Sequence, residues 1–411
     1  MRVLIANRHL AVVGGVETHL RAVLPRLAAD GFELGVLTDV PDPSGGITTS
    51  VSNIRCWLTD GRRPDAIVAE IDRWKPDVVY SHGLADPVVE AALADRYPSV
   101  FFAHGHQGTC VSGTKCHTRP AVRACGRRFG PACLALYLPR GCGGRSPVTM
   151  LGLYREQRRR LAAVSRCGAV LTASHYILDE YRAHGISPDR LHLVPLFPPA
   201  TVPDPIPPPP RSRSDRVLFV GRLTRPKGLP HLAAAVADAG SELSRRLTLV
   251  VAGDGPDQAE AKAAVRRHGV AAELLGWVGP DRCEAEMRAA DVLGVPSLWP
   301  EPFGLVGLEA ACVGLPAGGY ATGGIPDWLI PGVSGESAPG EHPDPRELAA
   351  ALVRVLGDEH HWQRLREGAW RTAAAFTPER HMTDLTAILE AVAAGRPLPR
   401  PMPQTVQLVG K

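Results

Sequence analysis

Short apolar runs alternate with amphipathic segments along two long stretches of the sequence. The first stretch starts with "RVLIAN", followed by "GGVETHLRAVLPRLAADG", whose apolar residues recur at helical spacing before a closing glycine. The alternation continues through "FELGVLTD", "DVVYSHG", "SVFFAHG", "GAVLTAS" and "LHLVPLF". Strands that alternate with helices predict a parallel sheet with helices on both faces.

A proline-rich segment interrupts this pattern. Eight prolines lie between positions 198 and 210, and such a segment forms neither a helix nor a central strand. The alternation restarts with "RVLFVGRL", "LTLVVAGDG", "AELLGWV", "DVLGVPSL" and "LPAGGY". A chain of 411 residues exceeds one ordinary core, so the sequence predicts two Rossmann-like α/β domains that face each other across a cleft.

The pattern divides the chain into five parts. We predict an N-terminal α/β domain at 1–197, a linker at 198–214, a second α/β domain at 215–377, a C-terminal helix at 378–395 that could pack back on the first domain, and a disordered tail at 396–411. The sequence has no apolar run long enough to span a membrane and no signal-peptide pattern, so a cytoplasmic protein is expected.

Two glutamates, Glu301 and Glu309, stand eight residues apart in "WPEPFGLVGLEAACVG". The stretch 303–314 contains no helix breaker, which predicts a helix that starts just after Glu301 and carries Glu309 about two turns in. Carboxylates accept hydrogen bonds from hydroxyls, so a sugar and a ribose are natural partners. The structural alternative is an acid that complements a helix N-terminus, together with a solvated glutamate.

Backbone and cationic groups near these acids suit an anion. The N–H groups of Phe303, Gly304 and Leu305 would be free at the start of the predicted helix, and Gly304 would let a ligand approach closely. In "VGRLTRPKG", Arg222 and Lys227 follow a strand, at the end where open α/β sheets bind ligands. Two cations there suit a diphosphate, and the alternative is two exposed basic residues in a turn.

The first domain carries two further candidates. Gly14 and Gly15 lie between the first strand and its helix, where phosphates approach, although a plain tight turn is the alternative. His104 directly follows the strand in "SVFFAHG" and can donate to a sugar hydroxyl or a phosphate oxygen, although a lone histidine is more often structural. The sequence lacks the P-loop motif, which argues against a P-loop NTPase.

Five stretches in family order make the sequence resemble the family-4 glycosyltransferases of the GT-B fold. They are "GGVETHL", "VGRLTRPKG", "VVAGDGP", "WPEPFGLVGLEA" and "ATGGIPDWL", and the resemblance covers about 1–110 and 165–390. It implies a nucleotide-sugar donor and transfer that retains the anomeric configuration.

The resemblance also implies roles for the charged residues. Arg222 and Lys227 would hold the donor diphosphate, Glu301 would contact sugar hydroxyls, and Glu309 would hold the ribose. The sequence has no Asp-x-Asp triplet, so no metal clamp is expected, and cations with a helix N-terminus would take the leaving-group charge. No cofactor is therefore expected for catalysis. A front-face displacement, in which the leaving phosphate helps deprotonate the acceptor, fits both family and sequence.

By the same resemblance, Val278 in "LGWVGP" would hold the base through its main chain. Phe303, Gly304 and Leu305 would offer backbone groups to the donor sugar and phosphate. Gly15 would touch the phosphates from the other domain, and His104 would face the donor sugar. The resulting candidate catalytic residues are His104, Arg222, Lys227 and Glu301.

Between about 105 and 160 the sequence departs from the family pattern with an insertion rich in cysteine and arginine. Its cysteines are Cys110, Cys116, Cys125, Cys133 and Cys142. Clustered cysteines suggest a structural metal site, with zinc the candidate ion, or disulfides. The spacing contains no C-x-x-C and is poor for a standard zinc module, while a cytosol disfavours stable disulfides. Metal site, disulfides and free thiols are the three alternatives.

The insertion is also strongly basic. From Lys115 to Arg166 the sequence has one Lys and eleven Arg against a single acid, Glu156. In the family the N-terminal domain holds the acceptor, so the insertion would cover the acceptor pocket, bind an anionic acceptor, or dock on an anionic membrane surface at the inner membrane face. Few aromatic residues accompany the arginines, which argues against nucleic acid.

The sequence as a whole predicts a retaining glycosyltransferase. It would move a hexose-type sugar from a nucleotide-diphosphate sugar to a metabolite, glycan or lipid-linked acceptor. The alternatives are another GT-B enzyme, such as a phosphorylase, and a non-catalytic nucleotide-sugar-binding or scaffold protein.

Overall fold

The computed structural model describes residues 1–12, 14–49, 51–59, 61–198, 202–204 and 206–399. The chain forms two compact units. The first contains Met1–Lys115 and the described parts of Gly126–Pro199 and Pro378–Pro403, and the second contains Cys116–Cys125 and the described part of Ala200–Thr377.

Fifteen strands lie in the described part of the chain. In order they are β1 (Arg2–His9), β2 (Glu33–Val40), β3 (Arg55–Leu58), β4 (Val78–Gly83), β5 (Ser99–Ala103), β6 (Cys116–His117), β7 (Arg123–Ala124), β8 (Ala169–Thr172), β9 (Leu191–Leu193), β10 (Arg216–Val220), β11 (Thr248–Ala252), β12 (Ala271–Gly276), β13 (Val292–Val295), β14 (Ala317–Ala321) and β15 (Gly335–Pro339).

The α-helices are, in order, α1 (Gly15–Ala29), α2 (Pro64–Trp74), α3 (Pro87–Arg96), α4 (Ala132–Arg140), α5 (Pro147–Val164), α6 (His175–Ala183), α7 (Leu229–Glu242), α8 (Gln258–Arg267), α9 (Pro280–Ala289), α10 (Val306–Cys312), α11 (Pro345–Gly357), α12 (Glu359–Ala373) and α13 (Pro378–Ala393).

The first unit is built on a seven-stranded sheet with the order β3-β2-β1-β4-β5-β8-β9. All its strand pairs are parallel, as the alternating pattern predicts. The central strands are buried on both faces, which explains their nearly continuous apolar sequences. The sequence pattern missed β3, because this edge strand has only four residues and all of them are exposed or half-exposed.

Helix α13 completes the first unit, although it follows the second in sequence. Nδ1 of His381 in α13 donates a hydrogen bond to the carbonyl of Pro195 over 2.8 Å, and the ring packs on those of His19 and Phe197. Leu385 and Leu389, one turn apart on the same helix, are fully buried. This apolar face gives the C-terminal helix its place in the first unit.

The second unit is built on a six-stranded parallel sheet with the order β12-β11-β10-β13-β14-β15. Its core packs α7 and α11 against one face through residues such as Leu232 and Leu352, both fully buried. The pattern missed β15, whose sequence "GESAP" has no apolar run. The short antiparallel hairpin β6–β7 also groups with this unit, unlike the predicted boundary at residue 197. Two parallel α/β units confirm the predicted fold class.

The predicted linker is tied to the second unit where the structure describes it. Residues 206–214 form neither helix nor strand, and Arg211 pairs with the fully buried carboxylate of Asp291. The N–H of Ser214 donates to the same carboxylate. Residues 199–201 and 205 of the linker, and residues 400–411 of the predicted tail, lie outside the described residues.

Candidate functional site

In the second unit, two loops meet at the carboxyl ends of the adjacent strands β10 and β13. Leu298 donates its N–H to the carbonyl of Pro226 over 2.7 Å. Gly228, at φ +71°, lies so close that a Cβ atom there would stand 1.9 Å from the carbonyl oxygen of Pro296. The first loop is therefore held against the chain that leads to Glu301.

Lys227 and Glu301, two of the predicted catalytic residues, form an ion pair in this place. The Nζ of Lys227 lies 2.6 Å from Oε1 of Glu301, a residue only 5% exposed. The same oxygen accepts from the Ser297 hydroxyl at 2.7 Å and from the Trp299 indole N–H at 2.9 Å. Oε2 accepts no hydrogen bond from any residue that the structure describes. Three donors hold one oxygen, and the other is left as an unused acceptor.

The helix predicted at 303–314 is shorter in the structure. It begins only at Val306, so Glu309 lies in its first turn and not two turns in. The reason is Gly304, whose φ of +83° lies in the left-handed region and cannot belong to a right-handed helix. The segment between the two glutamates is therefore a turn followed by a short helix.

This turn still leaves backbone donors available beside Glu301. The N–H groups of Phe303, Gly304 and Leu305 donate no hydrogen bond within the described parts of the chain. Phe303 is buried, and its carbonyl accepts the indole N–H of Trp328 over 2.7 Å, which fixes the turn. Backbone donors are therefore available where an anion site is predicted, and a turn presents them instead of a helix N-terminus.

Glu309 is a second acceptor in the same unit. Its carboxylate makes no hydrogen bond or ion pair with a residue in the described ranges, and burial raises its pKa. A partly buried carboxylate without a donor is unsatisfied in the ligand-free protein. Hydroxyl groups of a ligand would supply the missing donors.

Arg222 and Val278 follow two strands of this sheet, β10 and β12. Arg222 follows β10, is exposed, and pairs with no acid among the residues described. Val278 follows β12, and neither its N–H nor its carbonyl is hydrogen-bonded to any other described residue. The two positions are joined through the loop after β11, because Gly221 donates to Ala252, and Gly253 donates to Gly276.

The first unit places Gly14 and Gly15 at the start of α1. Gly14 is extended and α1 begins at Gly15. A Cβ atom at Gly15 would meet no atom within 4 Å, so nothing in the described structure itself demands a glycine there. The first N–H groups of a helix lack intrahelical acceptors, so an open glycine at this point suits the approach of a phosphate.

His104 lies at the end of β5 and is paired with a second histidine. Its Nε2 is 2.7 Å from Nδ1 of His82, at the end of the neighbouring strand β4. The ring of His104 also stacks on that of Phe102, with centroids 4.4 Å apart. Burial lowers the pKa of both histidines well below its usual value, so the pair is neutral near pH 7 and shares one N–H proton.

Three residues near these sites were missed in the sequence. His82 ends a strand in "VVYSHG", the same kind of position that singled out His104. Ser297 and Trp299 lie within four residues of Glu301, but nothing in the sequence shows that their side chains turn toward its carboxylate.

The two halves of the sequence match known families. Residues 13–197 match the model of Glycosyltransferase Family 4, and residues 206–371 match that of Glycosyl transferases group 1. The two matched ranges correspond to the two α/β units and keep their order. The chain belongs to glycosyltransferase family 4.

Curated relatives of this family-4 chain align over part of their length. A 2-deoxystreptamine glucosyltransferase of Streptomyces kanamyceticus is 37% identical over 34% of this chain and 36% of its own. A D-inositol 3-phosphate glycosyltransferase of Salinispora arenicola is 36% identical over 44% of this chain and 42% of its own. The chain thus spans about two fifths of the length of the curated relatives it matches.

Solved structures share the fold over nearly the whole chain. HepE from Anabaena, in complex with UDP and glucose, has a TM-score of 0.68 and 17% identity, covering 95% of this chain and 100% of its own. Family-4 membership and these neighbours make the fold GT-B, as predicted from the sequence.

The cysteine- and arginine-rich segment (residues 105–160) of this family-4 chain is anchored by two buried ion pairs. Arg160 pairs with Glu90 of α3, and Lys115 pairs with Glu180 of α6. Gln157 also accepts the N–H of Gly108 over 2.6 Å. The segment therefore packs as part of the first unit, apart from the hairpin at 116–125.

The five cysteines of this segment do not converge on a metal site. Throughout the described residues, no three or more histidine, cysteine or acidic side chains are grouped so that they could hold a metal ion. All nine cysteines of the chain are thiols, so the disulfide alternative also has no geometry to support it. The candidate zinc site at Cys110, Cys116, Cys125, Cys133 and Cys142 is not assembled in this structure.

Seven arginines of the segment belong to the first unit, and together they are called its basic surface. They are exposed or half-exposed and make no ion pair with a described residue: Arg127, Arg128, Arg140, Arg145, Arg155, Arg158 and Arg159. Arg155 and Arg158 lie on α5, and the exposed side chains of Val148 and Leu151 lie near the start of that helix. None of the helices in the described ranges is both long and apolar enough to cross a bilayer.

Proposed function

We propose that this family-4 protein is a retaining glycosyltransferase. It transfers a hexose-type sugar from a nucleotide-diphosphate sugar to an acceptor hydroxyl, and it needs no metal or cofactor for catalysis. The single observation that carries the proposal is the group around Glu301. A buried carboxylate with one unused oxygen lies beside Lys227, a cation with spare donors, and three N–H groups without acceptors.

The strand order supports an elongated ligand. Val278, Arg222 and Glu301 follow β12, β10 and β13, which span three strand spacings, roughly 14 Å. Base, diphosphate and sugar would lie along this edge in that order. Glu309 would then accept from the ribose, and the N–H groups of the turn after Glu301 would bind sugar and phosphate oxygens. HepE, a structural neighbour, was solved with UDP-glucose, which supports a donor of this class.

The transfer step needs charge stabilisation more than a nucleophile. The bond from the anomeric carbon to the diphosphate oxygen breaks, and the acceptor oxygen bonds to that carbon from the same face, so the configuration is retained. The acceptor proton passes to the leaving diphosphate oxygen. Arg222 and Lys227 stabilise the negative charge that develops there. Glu301 holds the sugar hydroxyls.

The proposal is tested first by ligand binding. Thermal shift against UDP-, GDP-, ADP- and TDP-sugars, with the free nucleotides beside them, should show a selective rise. Ligand at a hundred times its dissociation constant stabilises a fold by about 2.7 kcal/mol. No shift with any nucleotide sugar would favour the non-catalytic scaffold. Phosphate-dependent release of sugar phosphate would favour a phosphorylase.

The basic surface points to an anionic acceptor. Unpaired arginines attract phosphate or carboxylate groups, and the positive field would steer such an acceptor to the first unit. These anionic groups could belong to a soluble phosphorylated acceptor or to lipid headgroups. In the second case the protein would be a cytoplasmic enzyme held at the inner membrane face.

Vesicle sedimentation separates these two sources. With a lipid-linked acceptor or a membrane contact, the protein should pellet with phosphatidylglycerol vesicles and not with phosphatidylcholine vesicles, and salt should release it. Replacing Arg155 and Arg158 by Gln should reduce that binding. If the protein stays in the supernatant with both lipids, the anionic partner is a soluble one.

A further inference from the structure

Trp299 touches both partners of the Lys227–Glu301 pair. Its indole N–H donates to Oε1 of Glu301 over 2.9 Å, and Nζ of Lys227 lies 5.7 Å from its ring centroid. The distance from the cation to the ring is within the range of a cation–π contact. One side chain therefore binds the carboxylate through its edge and the ammonium through its face.

The backbone of Glu301 is fixed independently. Pro300 and Pro302 flank it, which restricts its own backbone and that of its neighbours. Its carbonyl accepts the N–H of Gly324 over 2.7 Å, and a Cβ atom at Gly323 would stand 2.2 Å from that carbonyl oxygen. These contacts hold the main chain of Glu301, so the direction of its carboxylate depends on the donors to Oε1.

The three donors on Oε1 are not equivalent. Lys227 would be recruited by the donor phosphates, because its ammonium is a mobile point charge on a flexible stem. Ser297 and Trp299 carry no charge, and their hydrogen bonds do not compete with a ligand phosphate in this way. Trp299 thus holds the carboxylate in place whether or not Lys227 is engaged, and Oε2 is the oxygen left for a ligand.

We propose that Trp299 is a positioning residue of the donor site. Its indole N–H fixes Glu301 so that Oε2 faces the hydroxyls of the donor sugar, and its ring face holds Lys227 near the diphosphate. This inference rests on the proposed function, because it assigns the sugar to Glu301 and the diphosphate to Lys227.

The two contacts of Trp299 can be removed one at a time. Trp299→Phe removes the N–H and keeps a ring for Lys227, so binding of UDP-glucose, or of the best nucleotide sugar in the thermal-shift panel, should weaken about ten-fold. Binding of the free nucleotide diphosphate should stay within about two-fold, because its phosphates contact Lys227 and not Glu301. Trp299→Leu removes both contacts and should weaken the binding of both the nucleotide sugar and the free nucleotide diphosphate.

Trp370→Phe is the matched control. It removes an indole hydrogen bond of the same length, 2.9 Å, to the carbonyl of Asp204 in the same unit. Calorimetric titration of the four proteins should show the selective loss only in Trp299→Phe. Equal affinity of Trp299→Phe and wild type for the nucleotide sugar, or an equal loss for sugar and free nucleotide, would overturn the positioning role.

A ligand-free measurement separates this inference from the proposed function. In a ¹H–¹⁵N spectrum of the wild type, the indole signal that disappears in Trp299→Phe is that of Trp299. That signal should move when Glu301→Gln is introduced, since the acceptor changes from a charged to a neutral group. If it does not move, the inference fails even where nucleotide sugars bind. If it moves but no nucleotide sugar binds, the proposed function fails and the positioning of Glu301 stands.

Discussion

The ammonium of Lys227 and the carboxylate of Glu301, 74 residues apart in sequence, lie 2.6 Å apart at the ends of adjacent strands. The pair is mostly buried, so each charge depends on the other. A ligand that brings phosphates to Lys227 and hydroxyls to Glu301 would bind both partners at once. This relationship leads to the first prediction.

Replacing Glu301 by Gln should lower the turnover number about a hundred-fold. The amide keeps the shape but loses the charge that binds sugar hydroxyls and balances Lys227. The measurement is the steady-state rate with the donor found by thermal shift. Activity close to that of the wild type would show that Glu301 does not contact the reacting sugar.

Replacing Arg222 by Ala should weaken binding of the nucleotide diphosphate about ten-fold. The melting temperature without ligand should not change, because Arg222 is exposed and pairs with no described residue. Arg225→Ala is the control, since Arg225 lies three residues further and pairs on the surface with Glu260. Equal losses in the two variants would mean that a general positive field, and not Arg222 itself, binds the diphosphate.

Replacing Glu309 by Gln should stabilise the ligand-free protein near neutral pH. It should also weaken the binding of the nucleotide-sugar donor. Burial raises the pKa of Glu309, so the folded protein holds this proton more tightly than the unfolded chain. The protonated carboxyl group contributes to the free energy of unfolding at acidic pH. This contribution is lost as the pH rises through the raised pKa of Glu309. The melting temperature of the variant should therefore exceed that of the wild type by about 2 °C near pH 8 and not near pH 4. A lower melting temperature near pH 8 would contradict this account.

Replacing Arg160 by Met should destabilise the protein by about 3 kcal/mol near pH 8, because it leaves Glu90 buried and unpaired. Burial raises the pKa of Glu90 to about 7, although Arg160 opposes the shift. Below that pKa the carboxyl group is protonated and needs no counter-ion. The loss, measured by urea unfolding, should accordingly be smaller near pH 5.

Arg158→Met serves as the control for this prediction, since Arg158 is exposed on the same helix and has no acidic partner in the described residues. A loss in Arg160→Met that does not depend on pH would show that packing of the long side chain, and not its charge, holds α5 to α3.

The thiol state of the cysteine- and arginine-rich segment gives the fifth prediction. Protein purified without reductant should show nine reactive thiols in denaturant, because every cysteine is a thiol in the structure. Metal analysis of the same sample decides the zinc alternative. One zinc ion per chain would mean that the segment closes around a metal in solution.

The local pattern of the sequence was sufficient to predict both parallel sheets, apart from one edge strand of each. Apolar runs with a closing glycine or polar residue mark strands that are buried on both faces, so the central strands of each unit were predicted. The edge strands β3 and β15 were not, because an exposed edge needs no apolar run. The end of a strand is also a local feature, which is why Arg222 and His104 were expected at the ligand edge.

The boundary of α10 shows where local reasoning fails. The stretch 303–314 has no breaker in the usual sense, yet Gly304 takes a left-handed conformation. The indole N–H of Trp328, 24 residues after Gly304, donates to the carbonyl of the preceding residue, Phe303, and holds the turn. A contact with so distant a residue leaves no local signal in the sequence.

The sequence by itself determined the two parallel α/β units and the residue types at their strand ends, because burial patterns and turn glycines act over a few residues. Only the tertiary structure decided which of these residues meet. Strand order places β10 beside β13 and β4 beside β5, which pairs Lys227 with Glu301 and His82 with His104. Such contacts depend on the positions of distant segments in space, which no local period encodes.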